Sequence, residues 1–453
     1  MLKKLETPVA INPPSKPLGW WESYRTLRRN MLELIPEEAY YEKMVIGGGN
    51  AGWVILTDPD AVKHVLKDRS ADYTRPPAGR RVITPRDGGV HLATAEHEEW
   101  RRLRKLMAPT YAPRHMQNHS EAMIEAAAGM VGRIENRKDD AIDLLPIMQS
   151  TTRDVMCDLL LSGKEVIDRD AYTACIDAGV TNMLKVSLLD LLGAPDWVPR
   201  PARVFNFPEI RLNRLLDEII AKRIERGPSE KPDLLDLLIA ARDEHSGLGL
   251  SAADLRNNVS GSLYAGLETT ALAVCWSTYL LSLYPHIQEQ LAEEAQSVLG
   301  GRIATLDDLP NLPYTLQVVR ESMRLYPPGA MLARRADVED EILGRRIAKG
   351  TNIIIPTYTI HRHRALWEDP DRFDPDRFEE SKAKGYHPFA FMPFGGGPRI
   401  CVAWAFAMVE VHMFLATLCS RYRFELQPGF QPEPRMIFAL HPANGMQVTV
   451  SER

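Results

Sequence analysis

Apolar positions recur every three to four residues along most of this chain, the period of a helix with one buried face. After a proline-rich entry, Trp20 to Leu34 reads as an amphipathic helix. Lys43–Thr57 reads as a hairpin, turning at Gly47-Gly48-Gly49-Asn50. Beyond Pro59 helices dominate, with segments predicted near 97–108, 115–136, 146–162, 168–191, 208–226 and 232–244. The stretch 193–208, rich in proline and aromatic residues, reads as a loop capping something apolar. The longest predicted helix runs from Ser251 to Tyr284. Ser251 and Asp254 form a capping box at its start, Pro285 stops it, and its length would be about 50 Å. Tyr314–Tyr326 forms another helix, ended by Pro327-Pro328. Short β segments follow at 341–357 and 434–451. A last helix, Val402 to Tyr422, begins at a glycine-rich loop. The expected fold class is mainly α with small β-sheets (α+β), in a single domain over residues 1–453.

Composition narrows the setting. The 453 residues carry a net charge of −5, which argues against general affinity for nucleic acid. No stretch near the N-terminus approaches the roughly 18–20 apolar residues that span a bilayer, so no membrane anchor is expected. No signal-peptide core is visible either. The five cysteines (Cys157, Cys175, Cys275, Cys401 and Cys419) are widely spread and contain no CxxC pair. That usage fits a reducing, cytoplasmic location. Cys275 and Cys419 lie in apolar helical runs and read as packing residues.

Cys401 is different. It closes Phe394-Gly395-Gly396-Gly397-Pro398-Arg399-Ile400-Cys401, a glycine-rich loop that runs straight into an apolar helix. Backbone N–H groups of such a loop, and the positive end of the helix, favour a thiolate over a thiol. The glycines let backbone approach a flat ligand closely. Arg399 can reach a carboxylate at that ligand's edge. A lone cysteine at a helix start is otherwise a packing residue. A thiolate, room for a plate and a cation for its acid together describe an axial cysteine on haem iron.

These residues resemble the cysteine loop of the cytochrome P-450 family. Where that family usually has glycine two residues after the cysteine, this chain has Ala403, which would narrow the space beside the haem slightly. The resemblance runs from the hairpin to the terminal strands and implies haem b, with Cys401 as the iron's axial ligand and Phe394 and Gly395 beside it. It also assigns roles elsewhere. Glu321 and Arg324 share a helix face and match the family's Glu-x-x-Arg pair. Arg377, in Phe373-Asp374-Pro375-Asp376-Arg377-Phe378, is then the third member of a structural lock on the segment that positions the loop. Within the long helix, Ala265-Gly266-Leu267-Glu268-Thr269-Thr270 places an acid and hydroxyls where stability gains nothing. Threonine can bend a helix by bonding back to a preceding carbonyl, and glycine weakens it, so a local opening is expected there. Glu268 and Thr269 resemble the acid–alcohol pair that delivers protons to oxygen, with Ala265 and Gly266 against the cofactor. Trp100 and Arg104, one turn apart, can project together at a haem propionate, and Arg334 falls where the family puts another propionate arginine. His97 points to solvent.

The implied activity is that of a haem-thiolate monooxygenase, inserting one oxygen atom of O2 into a C–H bond of a small lipophilic substrate. NAD(P)H would be the ultimate electron source. No dinucleotide or flavin fingerprint is present, so a separate ferredoxin- or flavodoxin-type donor is expected, and the protein would act as a monomer. Arg101, Arg102, Lys105, Lys382 and Lys384 suggest a basic docking surface for that donor. The family's pocket walls correspond here to Val82, Ile83, Leu188, Leu263, Ala330, Met331 and Leu332, mostly apolar. Two other readings keep haem but change the chemistry: a peroxide-dependent enzyme, or a non-enzymatic gas-binding protein.

Overall fold

The structure is a computed structural model. It describes residues 7–14, 16, 18–47, 52–85, 89–137, 141–161, 174–175, 178, 187–191, 198, 207–244 and 246–453. The chain forms two compact units, interleaved in sequence. One comprises residues 1–73, 124–152 and 268–453; the other comprises 74–123 and 153–267.

The first unit holds the β structure. Met44–Gly47 pairs antiparallel with Trp53–Leu56, as the hairpin pattern predicts; the turn itself lies outside the described residues. Trp53–Leu56 then pairs in parallel with Asn352–Ile355, and Leu332–Ala336 joins that strand antiparallel. One core closes on this sheet, with Val54, Leu56, Val62, Leu66, Tyr73, Ile353 and Ile355 buried together. A second ladder sets Gln447–Glu452 between Tyr422–Leu426 and Ile142–Asp143. The strands at 142–143, 332–336 and 422–426 are additions to the sequence reading, which places β structure at 43–57, 341–357 and 434–451.

The long helix runs Ala252–Leu283. Its capping box is present: Asp254 N–H donates to Ser251 Oγ at 3.1 Å, and Ser251 N–H to Asp254 Oδ2 at 3.3 Å. Every residue from Ala271 to Leu281 is buried. Pro285, read only as a stop, opens a new helix, Pro285–Leu299, at whose first position its missing N–H costs nothing. The helix expected over 20–34 ends at Arg29. Asn30 breaks it in an extended conformation, its side chain accepting from Leu32 N–H and donating to the Pro434 carbonyl at 3.0 Å. Helices at His97–Met107, Met116–Glu135, Leu144–Leu160, Phe207–Arg226, Pro313–Leu325 and Trp404–Arg421 follow the predicted positions closely, while the one expected at 232–244 is shorter, Leu234–Ala240. The predicted helix at 168–191 and the loop at 193–208 fall mostly outside the described residues.

Candidate active site

The cysteine loop gets its shape from its glycines. Gly395 and Gly397 have φ of 75° and 69°, a region that side chains disfavour. At Gly397 a β-carbon would sit 1.9 Å from the Leu66 carbonyl oxygen, so only glycine lets the loop cross that strand of backbone. Cys401 N–H donates to the Phe394 carbonyl at 2.9 Å and closes the loop. Cys401 itself is exposed, while the other four cysteines are buried. Burial pushes the Cys275 thiol well up and the Cys419 thiol up to about 12, so neither suits a thiolate role. Arg399 is half-buried on the same loop. Arg334, almost fully buried, lies on the strand Leu332–Ala336 with Nη1 donating to the Ala333 carbonyl at 2.8 Å.

A buried network holds this loop. Arg324 and Glu321 are both fully buried. Arg324 Nε and Nη2 each donate to Glu321 at 2.7 Å. Its remaining donors reach the carbonyls of His361 and Pro370 at 2.7 Å and of Arg372 at 2.9 Å. Glu321 also accepts from Asp374 N–H at 3.0 Å, and Arg377 Nε lies 3.4 Å from its Oε1. His361, which the sequence reading missed, carries this order to the loop. Its Nδ1 bonds the Arg324 carbonyl at 3.1 Å, and its Nε2 accepts from Met392 N–H at 2.9 Å. Met392 in turn accepts from Gly395 N–H at 2.9 Å. Burial, then the Arg324 charge, lowers the His361 pKa to about 3, so the ring stays neutral and can accept that bond.

On the long helix, Ala265 is exposed and Thr269, one turn later, is half-buried, just before the fully buried run from Ala271. Gly266 packs where a β-carbon would lie 2.9 Å from Met156 Sδ. The expected opening of the helix is absent: it is α-helical throughout. One reason is that Thr270 turns its hydroxyl outward, donating to Glu410 Oε2 at 3.3 Å on the helix Trp404–Arg421. Glu268 Oε2 lies 3.2 Å from His441 Nε2.

Glu410 was not anticipated either. Fully desolvated, its carboxyl is pushed up to about 8, with the Thr270 bond opposing. In the unfolded chain it would ionise near 4.5, so the native state holds a proton that the unfolded state releases. This stabilisation is complete below about 4.5 and is lost as pH rises through about 8. Glu410→Gln should therefore melt at a higher temperature than wild type at pH 8.5 and at an equal one near pH 4, by calorimetry. A wild-type difference that does not change with pH would rule this out.

In the second unit, Trp100 and Arg104 are half-buried on one face of His97–Met107, while His97 is exposed. Arg101, Arg102 and Lys105 are exposed, but each meets an acid: Glu98, Asp254 at 2.9 Å and Asp243 at 2.6 Å. Lys382 and Lys384 likewise pair with Glu379 at 3.6 Å and Glu380 at 2.8 Å. The expected basic surface is thus charge-compensated. Asp254 and Asp243, which pair with Arg102 and Lys105, come from other elements, while Glu98, Glu379 and Glu380 lie within four residues of their partners. Val82 and Ile83 are half-buried at the end of the helix Pro77–Ile83, and Leu263 is fully buried. Leu188 lies on the short helix Leu188–Leu191, whose Asp190 accepts from Arg81 Nε at 2.9 Å in a buried ion pair. In the first unit Ala330 is buried, and Met331 and Leu332 pack on the sheet's apolar clusters.

These residues fit a haem. The set is an exposed sulfur at the end of a loop whose Gly395 and Gly397 take positive φ, with half-buried or buried arginines.

The family model for Cytochrome P450 matches residues 26–450. The chain is 30% identical over 440 residues to "Protein LUTEIN DEFICIENT 5, chloroplastic" of Arabidopsis thaliana, covering 89% of this chain and 71% of that protein. It is 30% identical over 388 residues to cyclooctatin synthase of Streptomyces melanosporofaciens, covering 85% and 83%. With cyclooctat-9-en-7-ol 5-monooxygenase of the same organism it shares 30% over 343 residues, covering 75% and 74%. In fold it is similar to the crystal structure of the cytochrome P450DA heme domain, with a TM-score of 0.82 and 21% identity over 98% of each chain.

Proposed function

Because the chain belongs to the cytochrome P-450 family and is a haem-thiolate monooxygenase, we propose that it hydroxylates a C–H bond of a small lipophilic molecule. The observation that carries this reading is the exposed Cys401 at the end of a loop pinned through His361 to the buried Glu321–Arg324 pair. When bound, haem b supplies the iron chemistry that activates O2. The protein supplies the rest.

Cys401 Sγ would hold the iron of that group, with the loop's N–H groups and helix end favouring the thiolate. Phe394, Gly395, Ala265 and Gly266 would lie beside the group. Arg334, Arg399 and Arg104 would hold its carboxylates with their guanidinium groups, and Trp100 with its indole N–H. Thr269 holds a proton at its hydroxyl and Glu268 replenishes it. Val82, Ile83, Leu188, Leu263, Ala330, Met331 and Leu332 are assigned to the pocket, where apolar side chains exclude water and admit a lipophilic substrate. One relative is named for a substrate, cyclooctat-9-en-7-ol, that is a largely hydrocarbon alcohol, which supports that class. Electrons from NAD(P)H arrive through a separate ferredoxin- or flavodoxin-type protein, and the enzyme acts as a cytoplasmic monomer. Among the described residues no helix is long and apolar enough to cross a membrane. The two units alternate along the sequence, which supports one catalytic domain over the whole chain.

Thr269→Ala tests the proton assignment. It should bind haem normally, yet divert reducing equivalents to peroxide, since losing a placed proton donor slows such a step about 10²–10⁴-fold. Product formed per NADPH at the wild-type level would show that the hydroxyl is not in the path.

A further inference from the structure

Glu268 is paired. Its Oε2 lies 3.2 Å from Nε2 of His441, and the two side chains are only 15% and 25% exposed. His441 comes from the hairpin of Pro434–Met436 and Leu440–Pro442, opposite Arg435. Its neighbour Leu440 is fixed from two sides. The Leu440 carbonyl accepts from the Trp276 indole N–H at 2.8 Å, and its N–H donates to the Pro328 carbonyl at 3.0 Å. Trp276 is fully buried and stacked on Tyr326 with ring centroids 4.2 Å apart. Two turns beyond Glu268, the long helix thus anchors the strand that returns an imidazole to Glu268. The other charged groups nearby have partners of their own: Arg435 Nε donates to the Arg29 carbonyl at 2.6 Å, and Glu410 accepts from Thr270.

We propose that His441 is a positioning residue for Glu268, holding its carboxyl group in one rotamer so that the acid is aimed by the C-terminal hairpin as well as by its own helix. The inference rests on the role given to Glu268 above. A glutamate side chain has three rotatable bonds, and a close, partly buried polar contact of this kind shifts a rotamer population by up to about fivefold. The hairpin and the long helix meet at this contact, so a change in either one reaches the proton donor.

The test compares His441→Phe, which removes the polar contact, with His441→Gln, whose amide can still approach Oε2. In infrared spectra of the haem-loaded resting protein, the Glu268 carboxyl band is identified by its loss in Glu268→Gln. That band should shift in His441→Phe and return toward its wild-type position in His441→Gln. Turnover is then followed with a surrogate ferredoxin–reductase couple, NADPH and dodecanoic acid as probe. Peroxide released per NADPH should rise about three- to fivefold in His441→Phe and less than about twofold in His441→Gln. The double variant His441→Phe/Glu268→Gln should match Glu268→Gln alone, as expected of residues acting as one unit. An unshifted band, or effects that multiply in the double variant, overturns the inference. If Glu268→Gln leaves peroxide release at the wild-type level, it is the role of Glu268 that fails, and the band shift still decides whether His441 holds it.

Discussion

Replacing Arg324 by alanine should yield protein that fails to retain haem and melts far below wild type. The guanidinium is fully buried and makes five hydrogen bonds: two to Glu321 and three to the carbonyls of His361, Pro370 and Arg372. It also stacks over Trp367, 5.1 Å from the ring. Truncation leaves Glu321 as a buried carboxylate whose nearest remaining cation, Arg377, is 3.4 Å away, and strands three carbonyls. Removing one partner of a buried pair costs about 3–5 kcal/mol, a large part of the 5–15 kcal/mol that holds a typical domain together. The damage would be specific as well as global. The Arg324 carbonyl and its Nη1 fix the two ends of His361, and His361 fixes Met392, from which the cysteine loop departs. Haem content by pyridine haemochrome and the melting midpoint are the measurements. A soluble Arg324→Ala protein with normal haem loading and stability would mean that the pair does not organise the loop. Lysine at this position should rescue little, since it lacks the fork that serves both oxygens of Glu321.

Much of this architecture was legible because it is written locally. The long helix announces itself by Ser251, Asp254 and Pro285, all within a few residues of its ends. The cysteine loop does so through glycines whose φ values prove positive where the pattern demands. Pro285 shows the limit of such signals: the same residue that ends one helix opens the next, and only one meaning was read. What stayed hidden is what distant segments bring together. Nothing near Glu268 indicates that a histidine far along the chain will lie beside it, because the hairpin that returns His441 is placed by Trp276 and Pro328. His361 and Glu410 are equally silent in sequence, one an ordinary histidine at the end of a short helix, the other an acid in an apolar helix. Their roles come from burial, which no local pattern sets. The basic cluster erred for the same reason in reverse, as Asp243 and Asp254 neutralise cations they are not near in sequence.

The largest spectroscopic effect should come from Cys401. Of the five cysteines it alone is exposed, and burial holds the Cys275 and Cys419 thiols up, where a thiolate is disfavoured. The loop that presents it crosses the Leu66 backbone so closely at Gly397 that no side chain fits there. Imidazole in place of the thiolate would still bind iron but would not donate the same electron density. The decisive measurement is therefore the absorption spectrum of the reduced, carbon monoxide-treated protein. Wild type should show the red-shifted Soret band that a thiolate opposite carbon monoxide produces, and Cys401→His should bind haem yet lose that shift entirely. A red-shifted band that survives in Cys401→His would place the sulfur ligand on another cysteine and contradict the account at its centre.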